Sequence, residues 1–245
     1  MYIKTIKIAS FDVDRNGKAK VSSIMRYFQQ IARENLDEFG MTYDFLRENN
    51  IVFVLTKYKI KILSNILSDT EYVFKTAPCA VQGVSFIRDF VIEDLDGKRV
   101  AEASSSWTII NYLTRSIMRP NKLPKTITPS DKLVDFSPDR IRTNVLDESS
   151  VLDAMNNYST KVSYTMLDQN NHLNNCNYAD ILADGLFENG IEFTDSYQID
   201  MSFDHEAKVL DVLNVHFSKD KENLILASCE NKTENTTCFT AEISL

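Results

Sequence analysis

"STKVSYTMLDQNNHLNNCNYADILADGLFENG", residues 159–190, passes from a strand-like run through a polar turn into a helical pattern. Asn174 and Asn175 are suitable caps for the start of that helix, and Gly190 is a suitable stop. The apolar residues between them keep the i, i+3, i+4, i+7 spacing of an amphipathic helix: Tyr178, Ile181, Leu182, Gly185 and Leu186. We therefore predict a strand, a polar turn and one helix here.

The first half of the chain follows the same plan. "YIKTIKIASFDVD", residues 2–14, is strand-like, and a second helical pattern comes after it, with Ser22 and Ser23 near its start. The apolar residues of this pattern are Val21, Ile24, Met25, Phe28, Ile31 and Ala32. The two halves are therefore interpreted as a repeat.

Aligning the halves sets "DRNGKAK", residues 14–20, against "DQNNHLN", residues 168–174. Asp14 then matches Asp168, and Lys18 stands where His172 is. If the repeat is a duplication, only the second half keeps the histidine.

After each helix the apolar pattern returns to period two, with charged hairpin turns at "EDLDGKR", residues 93–99, and "SKDKENL", residues 218–224. One helix followed by several antiparallel strands predicts an α+β fold in which a sheet wraps each helix. Between the halves, four of the five prolines fall in residues 120–138. We therefore predict a first unit at 1–119, a linker at 120–150 and a second unit at 151–245.

Composition excludes several classes of protein. A net charge of −8 over 245 residues argues against nucleic acid as a partner. No apolar run is long enough to span a membrane, and the start lacks a signal peptide, so we expect a cytoplasmic protein. The four cysteines are scattered without CxxC pairs and there are only three histidines, so we expect free buried thiols and no metal site.

A local basic stripe runs against the negative total charge. Lys57, Lys59 and Lys61 recur every two residues, so a strand would carry all three on one face. This face is either solvated or a docking surface for an acidic partner.

The polar turn of the quoted stretch combines Asp168, Asn170 and His172. If its backbone is extended, these three side chains point the same way. Glu206 offers a fourth group, a carboxylate that could act as base toward a water; we expect it to be partly buried. The alternative is a structural loop, because Asp and Asn are common in turns and caps.

Three separated stretches resemble the acyl-acyl carrier protein thioesterases: "LDQNNHLNNCNY" (167–178), "HEAKVLD" (205–211) and "SSSWTIINYLTRSIMRPNKLP" (104–124). The resemblance implies a tandem (double) hotdog, each unit being a long helix wrapped by an antiparallel sheet. It also implies that Asp168 orients its neighbours, that Asn170 and His172 bind and polarise thioester or water, and that Glu206 activates the water. Plant members carry a cysteine where Ala207 stands, so a covalent cysteine mechanism is excluded at that position.

The implied activity is hydrolysis of a fatty acyl thioester on acyl carrier protein, without cofactor or metal, in a bacterial cytoplasm. Because the carrier is acidic, the expected docking residues are basic: Lys57, Lys59, Lys61, Arg115 and Arg119. An acyl-CoA thioesterase on the same scaffold and a non-catalytic acyl-binding module are the alternatives. Association into a homodimer is left open.

Overall fold

One antiparallel sheet of ten strands forms the frame of the computed structural model, which describes residues 1–141, 155–221 and 223–245. The order across the sheet is β1-β3-β4-β5-β2-β7-β10-β9-β8-β6. The strands are β1 (Tyr2–Lys7), β2 (Ile51–Ile62), β3 (Glu71–Pro78), β4 (Ser85–Glu93), β5 (Arg99–Asn111), β6 (Tyr158–Lys161), β7 (Tyr197–Phe203), β8 (Val212–Lys221), β9 (Leu224–Asn231) and β10 (Thr236–Ser244).

The order of the strands repeats when the sheet is followed inward from either edge. From one edge it is β1-β3-β4-β5-β2, and from the other it is β6-β8-β9-β10-β7. The two half-sheets join where β2 pairs with β7, in the register Lys57↔Ser202 to Ile62↔Tyr197. The predicted tandem hotdog fold is confirmed, and we propose the same division, 1–119 and 151–245, for its two units.

Each unit lays a long helix on its half-sheet: α1 (Val21–Glu38) in the first and α3 (Asn175–Glu188) in the second. All the residues that the helical spacing placed on the inner faces are buried. A short helix, α2 (Tyr43–Glu48), follows α1. Apolar side chains of both units, including Phe28 of α1 and Leu182 of α3, belong to one core.

The two long helices begin in different ways. At α3, the Asn174 side chain accepts a hydrogen bond from the Cys176 backbone N–H, as predicted for a cap. At α1, Lys20 is the N-cap and makes no side-chain capping bond, while Ser22 and Ser23 are buried inside the helix. The serines thus lie near the start of α1, as predicted, because the helix begins one residue before them.

The linker crosses the face of the sheet opposite the helices. It contains the short 3-10 turn Pro120–Lys122, and its later backbone donates from Leu133 to the buried Asp89 carboxylate at 3.1 Å. The Ile141 N–H donates to the Ser202 hydroxyl at 3.0 Å. Residues 142–150 of the predicted linker lie outside the described residues.

The four cysteines are free and buried, as predicted. In the described ranges, no helix combines the length and the apolar character needed to cross a membrane.

Candidate active site

The polar stretch forms a closed turn between Leu167 and Leu173, which face each other as an isolated β-bridge. The Asp168 N–H donates to the His172 carbonyl at 2.8 Å, and the Asn171 N–H donates to the Asp168 carbonyl at 3.1 Å. Asn171 has a φ of 63°, in the left-handed region that Asn tolerates better than most residues. The chain thus reverses direction within the motif.

The Asp168 carboxylate holds this turn together from inside. Its Oδ1 accepts from the backbone N–H of Asn170 at 2.8 Å and of His172 at 3.2 Å. Its Oδ2 lies 3.4 Å from the Asn170 side-chain nitrogen. The stretch is therefore a turn, as its place between strand and helix predicts, and the extended alternative does not apply, because an Asp side chain satisfies nearby N–H groups only when the chain turns. The turn nevertheless brings the three predicted residues together.

Glu206 follows β7 and lies beside the turn, as the sequence predicted for the acid of the site. Its Oε2 is 3.1 Å from His172 Nδ1, and its side chain is 37% exposed. The Leu173 N–H donates to the Ala207 carbonyl at 2.8 Å, and the Ala207 N–H donates to the Tyr178 hydroxyl at 3.1 Å. These bonds fix the segment of Glu206 against the turn and the start of α3.

Burial lowers the pKa of the His172 imidazole below its usual range, and the charge of Arg115 lowers it further. Lys208 acts in the same direction and Asp168 in the opposite one. His172 is therefore mainly neutral at neutral pH. Since Nδ1 faces the Glu206 carboxylate, the neutral ring carries its proton there and leaves Nε2 as an acceptor.

Arg115 is the residue of the site whose contact the sequence did not predict. Its guanidinium donates to Glu206 Oε1, although the two residues are 91 positions apart and belong to different units. Arg115 was expected on a docking surface. The only signal for its place in the site was its position in the third stretch of the family resemblance.

A cavity of about 560 Å³ lies between α1 and the half-sheet of the first unit and reaches the turn of the second unit. It touches Asp168 and Asn170 but neither His172 nor Glu206, which lie to one side. The Asn170 Oδ1 atom is buried and has no hydrogen-bond partner among the described residues. The apolar side chains that line the cavity come mostly from the first unit, with Leu167 added by the second, and include Leu36, Leu46, Ile51, Phe53, Phe86 and Trp107.

The basic stripe is not an open surface. Lys59 pairs with Asp200 at 3.1 Å, and the Lys61 ammonium lies 4.2 Å from the centre of the Phe136 ring in the linker. Lys57 is partly buried. The linker partly covers Lys59 and Lys61, so this face is not freely solvated; Arg119, in contrast, is exposed.

No metal-binding arrangement is formed by the residues that the structure describes, since no three His, Cys, Asp or Glu side chains cluster suitably. The side chains of the site supply a carboxylate, a mainly neutral imidazole, an amide oxygen that is unpaired among the described residues, and a guanidinium.

Two family models match the chain one after the other. The acyl-ACP thioesterase N-terminal domain covers residues 1–126, and the acyl-ACP thioesterase C-terminal domain covers residues 149–243. No curated protein sequence matches the chain significantly.

Three solved structures superpose on 99% of the chain. A protein from Lactobacillus plantarum assigned as an oleoyl thioesterase is 20% identical, with a TM-score of 0.80 over 94% of its chain. An acyl-ACP thioesterase from Bacteroides thetaiotaomicron is 19% identical, with a TM-score of 0.75 over 96% of its chain. A 12:0-ACP thioesterase from Umbellularia californica is 15% identical, with a TM-score of 0.78 over 96% of its chain. At these identities the likeness establishes the fold.

Proposed function

The chain belongs to the acyl-ACP thioesterase family, a family of thioester hydrolases, and from this premise we propose that it hydrolyses fatty acyl-acyl carrier protein to the free fatty acid. The observation that carries the proposal is the contact between Glu206 and His172 beside a cavity that Asn170 lines, with the buried Asn170 Oδ1 unpaired among the described residues. The proposed base and its orienting partner would thus lie beside a cavity with many apolar side chains, and the proposed acceptor for water in its wall.

The acyl chain is proposed to lie in the cavity of the first unit, with its thioester at the turn of the second. Apolar side chains along α1 and the half-sheet supply the favourable burial that an alkyl chain needs. The turn supplies the polar groups at the end where the reacting carbonyl would lie. Binding and chemistry are thereby divided between the units.

Glu206 is proposed as the general base. A water donates one hydrogen bond to the buried Asn170 Oδ1 and gives a proton to Glu206 as its oxygen attacks the thioester carbon. The tetrahedral intermediate then collapses, the carbon–sulfur bond breaks, and the proton on Glu206 passes to the departing sulfur. The products are a carboxylic acid and the carrier thiol, with no covalent enzyme intermediate.

His172 is proposed to hold the base in place. With its proton on Nδ1, facing Glu206 Oε2 at 3.1 Å, it donates to the carboxylate and limits its rotation. Its Nε2 has no proton in this tautomer, so the neutral ring cannot donate a hydrogen bond to the thioester oxygen from that side. Asp168 contributes by fixing both neighbours through their backbone N–H groups.

The acyl carrier protein is proposed to dock through exposed cations, of which Arg119 is a candidate from the sequence. Lys59 and Lys61 are left out of this surface because the linker covers them.

The test measures free thiol released by the purified protein from one acyl chain carried on acyl carrier protein or on coenzyme A. We expect faster turnover on the carrier protein, and we expect Glu206→Gln to reduce kcat about a thousandfold. Equal or faster turnover on coenzyme A would contradict the choice of carrier. Binding of acyl carrier without any thiol release by the wild type would contradict hydrolysis.

A further inference from the structure

We propose that Arg115 is a positioning residue that orients the Glu206 carboxylate across the boundary between the two units, rather than a residue that docks the carrier. The inference rests on the proposed function, in which Glu206 is the base. It assigns to the first unit a part in the chemistry as well as in substrate binding.

The two oxygens of Glu206 have different partners on different elements. Arg115 donates to Oε1 from the turn that follows β5, and His172 Nδ1 lies 3.1 Å from Oε2 in the turn that precedes α3. A carboxylate held at both oxygens keeps one orientation, whereas either contact alone allows it to rotate. Since an ionised carboxylate has about four acceptor positions, two partners still leave room for a water.

The turn that carries Arg115 is rigidly built. Asn111 Oδ1 accepts from the backbone N–H of Leu113 at 3.0 Å and of Thr114 at 2.9 Å. The Arg115 N–H donates to the Asn111 carbonyl at 2.8 Å, and Arg115 itself has a φ of 58°. A left-handed conformation costs a residue other than glycine about 1 kcal/mol, so it persists only where the surrounding bonds impose it. The guanidinium thus contacts Glu206 from a backbone turn of fixed conformation.

The charged groups facing the Glu206–His172 pair come from three segments. Arg115 comes from the turn after β5, Asp168 from the turn before α3, and Lys208 from the segment of Glu206 itself. Among these neighbours Arg115 has the largest effect on the His172 pKa, which it lowers, second only to burial. Loss of Arg115 should therefore make His172 easier to protonate.

The experiment compares Arg115→Gln and Arg115→Lys in the full chain, with Arg140→Gln as the matched control. Arg140 also pairs with a carboxylate after β7, that of Asp204 at 3.1 Å, but does not touch Glu206. The readouts are kcat and KM against pH on a small acyl thioester and on acyl-acyl carrier protein, together with the thermal midpoint Tm.

We expect Arg115→Gln to lower kcat about tenfold on both substrates, because the base loses its orientation. We also expect the acid limb of its pH profile to move about one pH unit upward. Arg115→Lys should restore most of both properties, since it returns the charge. Arg140→Gln should behave as the wild type, and the Tm values of the Arg115 and Arg140 variants should agree.

A docking role predicts a different result. If Arg115→Gln raises KM for the carrier-bound substrate alone, with kcat on the small thioester and the acid limb unchanged, the positioning role is wrong while the proposed function stands. A wild type that hydrolyses neither substrate would overturn the proposed function and this inference together.

Discussion

The turn at residues 14–18 in the first unit has the same hydrogen bonds as the turn at residues 168–172 in the second. In the first, the Asp14 N–H donates to the Lys18 carbonyl at 2.8 Å and the Gly17 N–H donates to the Asp14 carbonyl at 3.0 Å. Asp14 Oδ1 accepts from the backbone N–H of Asn16 at 2.8 Å and of Lys18 at 3.0 Å. Each bond has its counterpart around Asp168, with distances that differ by 0.2 Å or less.

The turns differ in the side chain at their last position, which is Lys18 in the first and His172 in the second. Lys18 Nζ pairs with Asp195 at 2.6 Å, and a cavity of about 520 Å³ lies beside that turn. His172 instead meets Glu206 next to a cavity of about 560 Å³. Lys18 lowers the pKa of the Asp195 carboxyl group and so makes it a weaker base, whereas the residue beside Glu206 is a mainly neutral imidazole. The same backbone turn is therefore compatible with different chemistry, which depends on the side chain at its last position and the carboxylate that this side chain contacts.

The largest change in kcat is expected when His172 of the second turn is replaced by lysine, the residue at the matching position of the first turn. His172→Lys should keep the backbone frame, because the Asp168 bonds do not involve the imidazole, but it should reduce kcat about a thousandfold. Thiol release and Tm are the measurements. The reciprocal variant Lys18→His should leave kcat near the wild-type value, since Lys18 pairs with Asp195, which has no part in the proposed reaction. A large fall in kcat for Lys18→His would mean that the first turn also takes part in the reaction.

The shared frame explains why much of the fold could be predicted from the sequence. The helical spacing of residues such as Phe28 and Leu182 arises because one face of each helix is buried. This requirement acts on residues three and four positions apart, so it is visible in the local sequence. The repeat of polar turn and helix was visible for the same reason. The sequence predicts the polar turn but not its hydrogen bonds, in which the Asp168 carboxylate accepts from the N–H groups two and four residues ahead.

The parts of the site that could not be predicted are long-range contacts. Arg115 meets Glu206 only because β5 and β7 both flank β2, which brings their ends together. Lys61 is covered because Phe136 of the linker lies across the sheet, and no local pattern around either residue indicates this. A single sequence specifies which side chains are available, whereas the sheet order decides which of them meet.

A smaller effect is expected from removing the carboxylate that closes each turn. Asp168→Ala and Asp14→Ala both leave two backbone N–H groups without their acceptor, so each should lower the free energy of unfolding by about 1 kcal/mol. Only Asp168→Ala should lower kcat, by about ten- to a hundredfold, because Asn170 and His172 lose their placement. Denaturant unfolding and thiol release measure the two effects. Equal kcat in both variants would show that the frame of the second turn does not position the site.

The smallest effect concerns the left-handed residue that each turn needs, which is Gly17 in the first and Asn171 in the second, with φ values of 76° and 63°. Gly17→Ala should lower the free energy of unfolding by about 1 kcal/mol, because a β-carbon disfavours this conformation, while Gly17→Asn should cost less. Nothing lies within 4 Å of a β-carbon at Gly17, so crowding does not contribute. Asn171→Gly should change the free energy of unfolding by about 0.5 kcal/mol or less and leave kcat unaltered. Denaturant unfolding of the three variants tests the order, and an Asn at position 17 as costly as Ala would show that the two turns tolerate different residues for reasons beyond their backbone conformation.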